Sequence, residues 1–254
     1  MKETISPKRV IIIGASSGIG HHIAECYIQK GWIVGIAARR EDKLALLKEL
    51  APERVFTAYV DVSQRGCEND IALLIHQLGD VVDVYFHVAG VGRKNYDLSE
   101  GIEIQTAETN ATGFMRSIGM AYRQMARQRF GHIAVVSSIA CTKGLGPAPA
   151  YSATKALQAS YIQALEQLAH RQRLPIRFTD IRPGFVDTEL LAPSSSNDKQ
   201  QDCYPMLLNA EKVALKAIRA VERKHHVVII DWRWRLLTAM WRRIPRCIWR
   251  RINL

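Results

Sequence analysis

Short apolar runs, largely β-branched, alternate along the chain with stretches whose apolar positions recur every three or four residues. The runs fall at 10–13, 33–37, 55–60, 82–88, 133–136, 176–181 and 227–230. Apolar residues without alternation imply burial on both faces, as in a parallel sheet covered by helices. Between them, Ile19, Ile23, Cys26 and Tyr27 mark one helical stripe. Leu44, Leu47 and Leu50, then Ile71, Leu74, Ile75 and Leu78, then Leu157, Tyr161, Leu165 and Leu168 mark three more. Seven strands with intervening helices predict an α/β fold: a Rossmann-like, doubly wound parallel sheet.

Composition sets the limits. With 254 residues, 48% of them hydrophobic, the chain can bury the core of one large domain, expected to span 1–231. No apolar run approaches the ~20 residues needed to cross a bilayer, and the opening MKETISPKRV has no apolar segment after its charges, so neither signal peptide nor anchor is expected. Five cysteines, at 26, 67, 141, 203 and 247, contain no C-x-x-C pair, which predicts reduced thiols, a cytoplasmic setting and no metal. The polar stretch 193–202 reads as a surface loop. The adjacent pairs His21/His22 and His225/His226 diverge in helix or strand and are not read as ligands.

The first strand runs into GASSGIG, residues 14–20. Gly14, Ser16, Ser17, Gly18, Ile19 and Gly20 would let a dinucleotide pyrophosphate approach the unpaired N–H groups of a helix start. The same letters hold a G-x-S-x-G match centred on Ser16, a serine-hydrolase elbow. That reading weakens on order, since only thirteen residues precede Gly14 and the only histidines beyond the candidate acids Asp187 and Asp198 are the pair 225/226. At the end of the second strand an NAD-binding unit would place an acid, whereas this chain has Arg39 and Arg40. Guanidinium groups match a 2′-phosphate in charge and fork geometry, so NADP(H) is the expected cofactor.

Tyr151 and Lys155, four apart on a helix, can present a phenol and an ammonium to one point. A phenol with a pKa of ~10 needs a neighbouring cation to exchange protons near neutrality, and Lys155, aided by an oxidised nicotinamide, is expected to lower it.

From about residue 8 to 231 the chain resembles the short-chain dehydrogenase/reductase family. Residues 14–20 resemble its T-G-x-x-x-G-I-G loop, Asp61 and Val62 its acidic-hydrophobic pair, and His87-Val88-Ala89-Gly90 its N-N-A-G segment. Asn110 falls at the position of a helix asparagine, Ser138 lies 13 residues before Tyr151, and Arg182-Pro183-Gly184 with Val186 and Thr188 resembles the segment flanking nicotinamide. Ile13 replaces the loop threonine, and His87 and Val88 replace two asparagines, which puts local bracing rather than chemistry in question. The resemblance implies an NADP(H)-dependent oxidoreductase acting on a carbonyl/secondary-alcohol pair. In it Tyr151 exchanges the proton, Ser138 bonds the substrate oxygen, Lys155 holds the ribose, and Asn110 holds a water continuing the proton path. Asp61, Val62, Ala89, Gly90, Pro183, Gly184, Val186 and Thr188 join the cofactor site, and a homo-oligomer, dimer or tetramer, is implied. A non-catalytic cofactor-bound regulator or membrane-associated scaffold is the alternative. Leu190, Leu191, Met206, Leu207 and Leu208 suggest an apolar lid and a lipophilic substrate.

Residues 232–254 hold seven arginines, four tryptophans and no acid, which is more than half of the chain's net charge of +11. Helical spacing places Trp234, Leu237, Trp241, Ile244, Ile248 and Ile252 on one side and Arg235, Arg242, Arg243, Arg246 and Arg250 opposite, with Pro245 dividing the helix. Such a face suits peripheral contact with anionic lipid or burial between subunits. Nucleic acid is not expected, since no groove-reading motif accompanies the charge.

Overall fold

The computed structural model describes residues 7–191 and 204–252. Strands β1 (Arg9–Ile13), β2 (Ile33–Ala38), β3 (Val55–Tyr59), β4 (Val84–His87), β5 (Gly131–Val136) and β6 (Ile176–Arg182) follow the apolar runs. A two-residue pair, β7 (Val186–Asp187) and β8 (Leu208–Asn209), precedes β9 (Val227–Ile229). The main sheet has the order β3-β2-β1-β4-β5-β6-β9, parallel throughout. The order reverses beside β1, so the carboxyl ends of β1 and β4 flank the crevice where such sheets bind ligands. The β7–β8 pair had no signal in the sequence, because two residues carry no periodicity.

Helices α1 (Gly18–Gln29), α2 (Glu41–Glu49) and α7 (Ala210–Glu222) cover one face of the sheet. On the other lie α3 (Cys67–Gln77), α4 (Glu100–Ala107), α5 (Phe114–Gln128) and α6 (Pro149–Arg171). Successive strand residues serve opposite cores, as the pleat requires. Val10 and Ile12 pack with Ile23, Tyr27, Leu44 and Ile218, while Ile11 and Ile13 pack with Leu74, Phe114 and Ile118. The unbroken apolar runs are therefore the imprint of two cores sharing one sheet.

Residues 232–252 form α8 (Trp232–Arg243) and α9 (Arg246–Trp249), broken at Pro245 as anticipated. The inward side is the one the spacing picked out at Trp234, Leu237, Trp241 and Ile244, but it faces this chain's own domain. Trp234 is 1% exposed and its ring meets Phe185 edge-on. A Cβ on Gly184 would lie 2.1 Å from the Trp234 Nε1, so glycine there is a condition of the docking. Lys143 donates to the Ile244 carbonyl and Trp249 to that of Gly144. Ile248 and Ile252, by contrast, are exposed. Among the described residues no helix is long and apolar enough to cross a membrane, and no cluster of metal-ligating side chains occurs.

Candidate active site

The glycine loop owes its shape to close approaches. Gly14 has φ +92°, and a Cβ there would sit 2.6 Å from the Ala89 nitrogen; one on Gly20 would sit 2.1 Å from the Gly14 oxygen. The loop is thereby pressed against the end of β4 and folded over the start of α1. Gly18, at φ +55°, leaves room for Thr188, whose Cγ2 would lie 2.8 Å from an added Cβ. Two segments 170 residues apart in sequence, both expected to bind cofactor, thus meet at one point. Ser17 stands at the N-cap of α1 without bonding its own helix, and its hydroxyl accepts instead from Arg40 at 2.7 Å. The first N–H groups of α1 lack a side-chain cap there, and this cradle of small residues fits a dinucleotide pyrophosphate.

The two arginines differ. Arg40 lies across the loop, its Nη2 donating also to the Ser16 Oγ at 3.0 Å and its Nη1 to Glu189 at 2.6 Å. The hydrogen bond from Arg40 is the main influence holding the Glu189 carboxyl below its ordinary range. Arg39 is exposed at the end of β2. Ser16, bonded by a guanidinium that can only donate, has no general base in that partner, which removes support from the hydrolase reading. Asp61 accepts from the backbone and hydroxyl of Ser63 in a tight turn, and the Val62 carbonyl lies against Gly113, where a Cβ would come within 2.3 Å of it.

Asn110 lies in a π-helical turn, Glu108–Gly113, between α4 and α5. Wider turns of this kind concentrate at functional sites because they re-aim side chains. The Asn110 Oδ1 accepts from the Val91 N–H at 2.8 Å and its Nδ2 donates to the Val91 carbonyl at 2.6 Å, locking the loop after β4. Its main-chain carbonyl accepts from Gln158 Nε2 at 2.9 Å. Residues 110–112 read Asn-Ala-Thr, a glycosylation triplet, but the complete burial of Asn110 is incompatible with that modification.

Tyr151, Lys155 and Gln158 follow one another along a stripe of α6, which starts with Pro149 in its first turn. The Tyr151 ring lies over Gly92, where a Cβ would come 2.6 Å from the ring carbons. Ser138, just after β5, lies beside the phenol and draws its pKa down, but burial is the larger influence and leaves it above its ordinary value. The Lys155 ammonium donates to the Val136 carbonyl at 3.1 Å and Gln158 Oε1 at 3.0 Å, and lies 5.7 Å from the Tyr151 ring centroid. Burial pushes Lys155 itself down to about 8, opposed by Asp180 and Cys141. Gly90 borders both Lys155 and Asn110, a Cβ there meeting Lys155 Nζ at 3.6 Å and Asn110 Oδ1 at 3.2 Å. One cluster therefore holds Asn110, Ser138, Tyr151 and Lys155 at the carboxyl ends of β4 and β5.

His87 is buried with its Nδ1 at 3.0 Å from the Ser117 hydroxyl and edge-on to Phe114. Burial first, and Lys155 second, push its pKa down to about 3, so it braces as a neutral ring. Pro183 and Gly184 follow β6, with Gly184 under Trp234 and Val186 in β7. Leu190 and Leu207 are exposed and Leu208 lies in β8. The loop expected at 193–202 falls outside the described residues, so the proposed lid is described only at its two ends. The sequence reading missed Gln158, although its i+3 offset from Lys155 on an otherwise apolar stripe was a usable signal, and missed Trp234 as a neighbour of Gly184, a long-range pairing with no local mark.

Residues 8–199 match the short chain dehydrogenase family. An uncharacterized oxidoreductase of Mycobacterium tuberculosis is 29% identical over 259 residues, covering 95% of this chain and 96% of the relative. The alcohol dehydrogenase of the archaeon Thermococcus sibiricus, complexed with 5-hydroxy-NADP, superposes with a TM-score of 0.73 at 26% identity over 88% of this chain and 95% of that one. A short chain dehydrogenase/reductase from Burkholderia phymatum in complex with NAD shares the fold with a TM-score of 0.81 at 20% identity, covering 92% of each chain. Solved relatives thus carry either nicotinamide dinucleotide, and this chain belongs to the short-chain dehydrogenase/reductase family of oxidoreductases.

Proposed function

We propose that the protein is an NADP(H)-dependent reductase/dehydrogenase acting on a carbonyl/secondary-alcohol pair, with Tyr151 as the proton donor and acceptor. The observation that carries this reading is the convergence of Ser138 on the Tyr151 phenol, with Lys155 one helical turn deeper beside Gly90. Gly14, Ser16, Ser17, Gly18, Ile19 and Gly20 would hold the pyrophosphate, Asp61 and Val62 the adenine side, Ala89 and Gly90 the ribose side, and Pro183, Gly184, Val186 and Thr188 the nicotinamide side. Arg39 and Arg40 supply the charge for a 2′-phosphate, and Arg40 can exchange Glu189 for that anion. When bound, the cofactor supplies or receives the hydride at the carbonyl carbon. Tyr151 passes a proton to the substrate oxygen, Ser138 orients that oxygen by donating to it, and Lys155 places positive charge behind the phenol.

Oxidation of NADPH with a panel of ketones and aldehydes tests the class. Turnover with at least one lipophilic carbonyl compound, lost in Tyr151→Phe while NADPH binding persists, is expected; a protein that binds NADPH and reduces nothing would be the regulator instead. Near-normal activity in Tyr151→Phe would refute the assigned chemistry.

Two partners complete the proposal. A second copy of the chain is supported by the exposed outer side of α6, where Ala153, Ala156, Ser160 and Ala164 are small enough for close approach. An anionic membrane surface is supported by α8, whose outer side exposes Trp232, Leu236 and Met240 among Arg233, Arg235, Arg242 and Arg243. Aromatic and aliphatic side chains rimmed by arginine suit the headgroup layer, and the setting is the cytoplasmic side of that membrane.

A further inference from the structure

The buried carboxamide of Gln158 sits where two obligate partners meet. Its side chain is 0% exposed. Lys155 can only donate and a main-chain carbonyl can only accept, so the amide orientation is fixed: Oε1 toward Lys155 at 3.0 Å, Nε2 toward the Asn110 carbonyl at 2.9 Å. The carboxamide thus ties the ammonium on α6 to the main chain of the π-helical turn through one bridge of fixed orientation.

We propose that Gln158 is a positioning residue that fixes the Lys155 ammonium by bridging it to the Asn110 carbonyl. The inference rests on the reading of Tyr151 and Lys155 given above.

Other groups around Lys155 bear on its charge. Asp180 on β6 and the Cys141 thiol favour the ammonium, His87 on β4 faces it as a neutral ring, and the Tyr151 phenol lies one turn before it on α6. The Gln158 carbonyl dipole adds to the stabilising side. Removing that dipole must lower the Lys155 pKa, and replacing it by a carboxylate must raise it.

The test uses the full chain labelled at the lysine side chains, with Lys155 assigned by its missing signal in Lys155→Met. NMR titration should place Lys155 lower in Gln158→Leu and higher in Gln158→Glu than in the unaltered protein, each by about half a pH unit or more. Should the Leu variant not fold, Gln158→Asn, one methylene too short to reach both partners, is expected to shift in the same downward direction. Hydrogen exchange of the Lys155 ammonium should rise by about tenfold in Gln158→Ala, which admits water between the two groups. Folded variants with coincident titrations and unchanged exchange would overturn the inference. Both readouts need neither substrate nor cofactor, so failure here is separate from failure of the catalytic reading, which Tyr151→Phe turnover decides.

Discussion

Helices α6 and α8 have the same outward pattern, one buried stripe and one exposed, yet they bury different things. The buried stripe of α6 includes Ser152, Thr154, Lys155 and Gln158, and each has a hydrogen-bond partner. That of α8 centres on Trp234 and Thr238; Thr238 returns its hydroxyl to its own helix, while the Trp234 indole N–H has no partner among the described residues. Polar groups placed in a core with every partner supplied cost stability that packing alone would have saved, so such a stripe marks chemistry. A buried tryptophan whose donor goes unmet marks a wall, held by area and shape. On that contrast the proposed reacting groups belong to α6, and α8 packs beside them as a wall.

The largest effect should come from α6. Replacing Lys155 by Met keeps the length and removes the charge, and turnover should fall by about two to four orders of magnitude with NADPH weakened as well. If steady-state rates on a carbonyl substrate drop by less than that while the Gln158 variants lose more, the roles of the two residues have been assigned the wrong way round. The pH dependence has a definite sign: Lys155 loses its charge as pH rises through about 8, so its support for an ionised phenol fades above that value rather than below it.

On α8 the expected loss is of stability. Trp234→Ala empties a fully buried ring site against Phe185 and Gly184, and large-to-small changes of that kind cost about 3–5 kcal/mol. Denaturant unfolding measures it. A loss under about 1 kcal/mol would mean that α8 is not part of the cooperative unit. Cutting the chain after Asp231 should therefore do more than abolish lipid contact: it removes Trp234 and exposes the flank of the Pro183–Phe185 segment, lowering activity too. Unchanged activity in the truncated protein would restore the simpler picture of an appended tail.

The fold was legible because the central strands β1, β2, β4 and β5 are buried on both faces and hence largely apolar, and the glycine loop because a side chain at Gly14 or Gly20 would collide with backbone. Tyr151 and Lys155 were legible through spacing on one helix. The inward side of α8 was legible as a stripe, but a stripe states only that something covers it. Whether lipid, a second subunit or β6's own flank does so depends on contacts fifty residues away at Gly184, which no local pattern encodes. The contact of Gln158 with the Asn110 carbonyl was hidden for a related reason: it depends on which side chain α6 presents to a turn 48 residues away.

A change at the cofactor's far end should leave both helices untouched and so isolates them. Arg39→Asp should move the NADPH/NADH affinity ratio by about 10- to 100-fold toward NADH, since a carboxylate repels the 2′-phosphate and accepts from the ribose hydroxyls. Arg40→Ala should do less by charge, but it also frees Ser16, Ser17 and Glu189, so both cofactors should weaken together. Fluorescence titration of each cofactor distinguishes these; an unchanged ratio in Arg39→Asp removes it as the discriminator.

The smallest effect on the protein itself should come from the outer side of α8, and it separates the two tryptophans that stand two residues apart. Trp234 is 1% exposed and Trp232 66% exposed, with Leu236 and Met240 exposed at 58% and 56% on the same side as Trp232. Changing Trp232, Leu236 and Met240 together to Ser should alter folding stability by no more than about 0.5 kcal/mol per site, as for other surface positions. If lipid covers this side, the triple variant should lose co-sedimentation with vesicles rich in anionic lipid, and salt should weaken binding of the unaltered protein because arginine attraction is screened. If a second copy covers it instead, the variant should sediment as a smaller species at the same concentration, and vesicles should never have bound the parent. Retained oligomer with lost vesicle binding assigns the outer face of α8 to the membrane and its inner face, through Trp234, to the wall of the site.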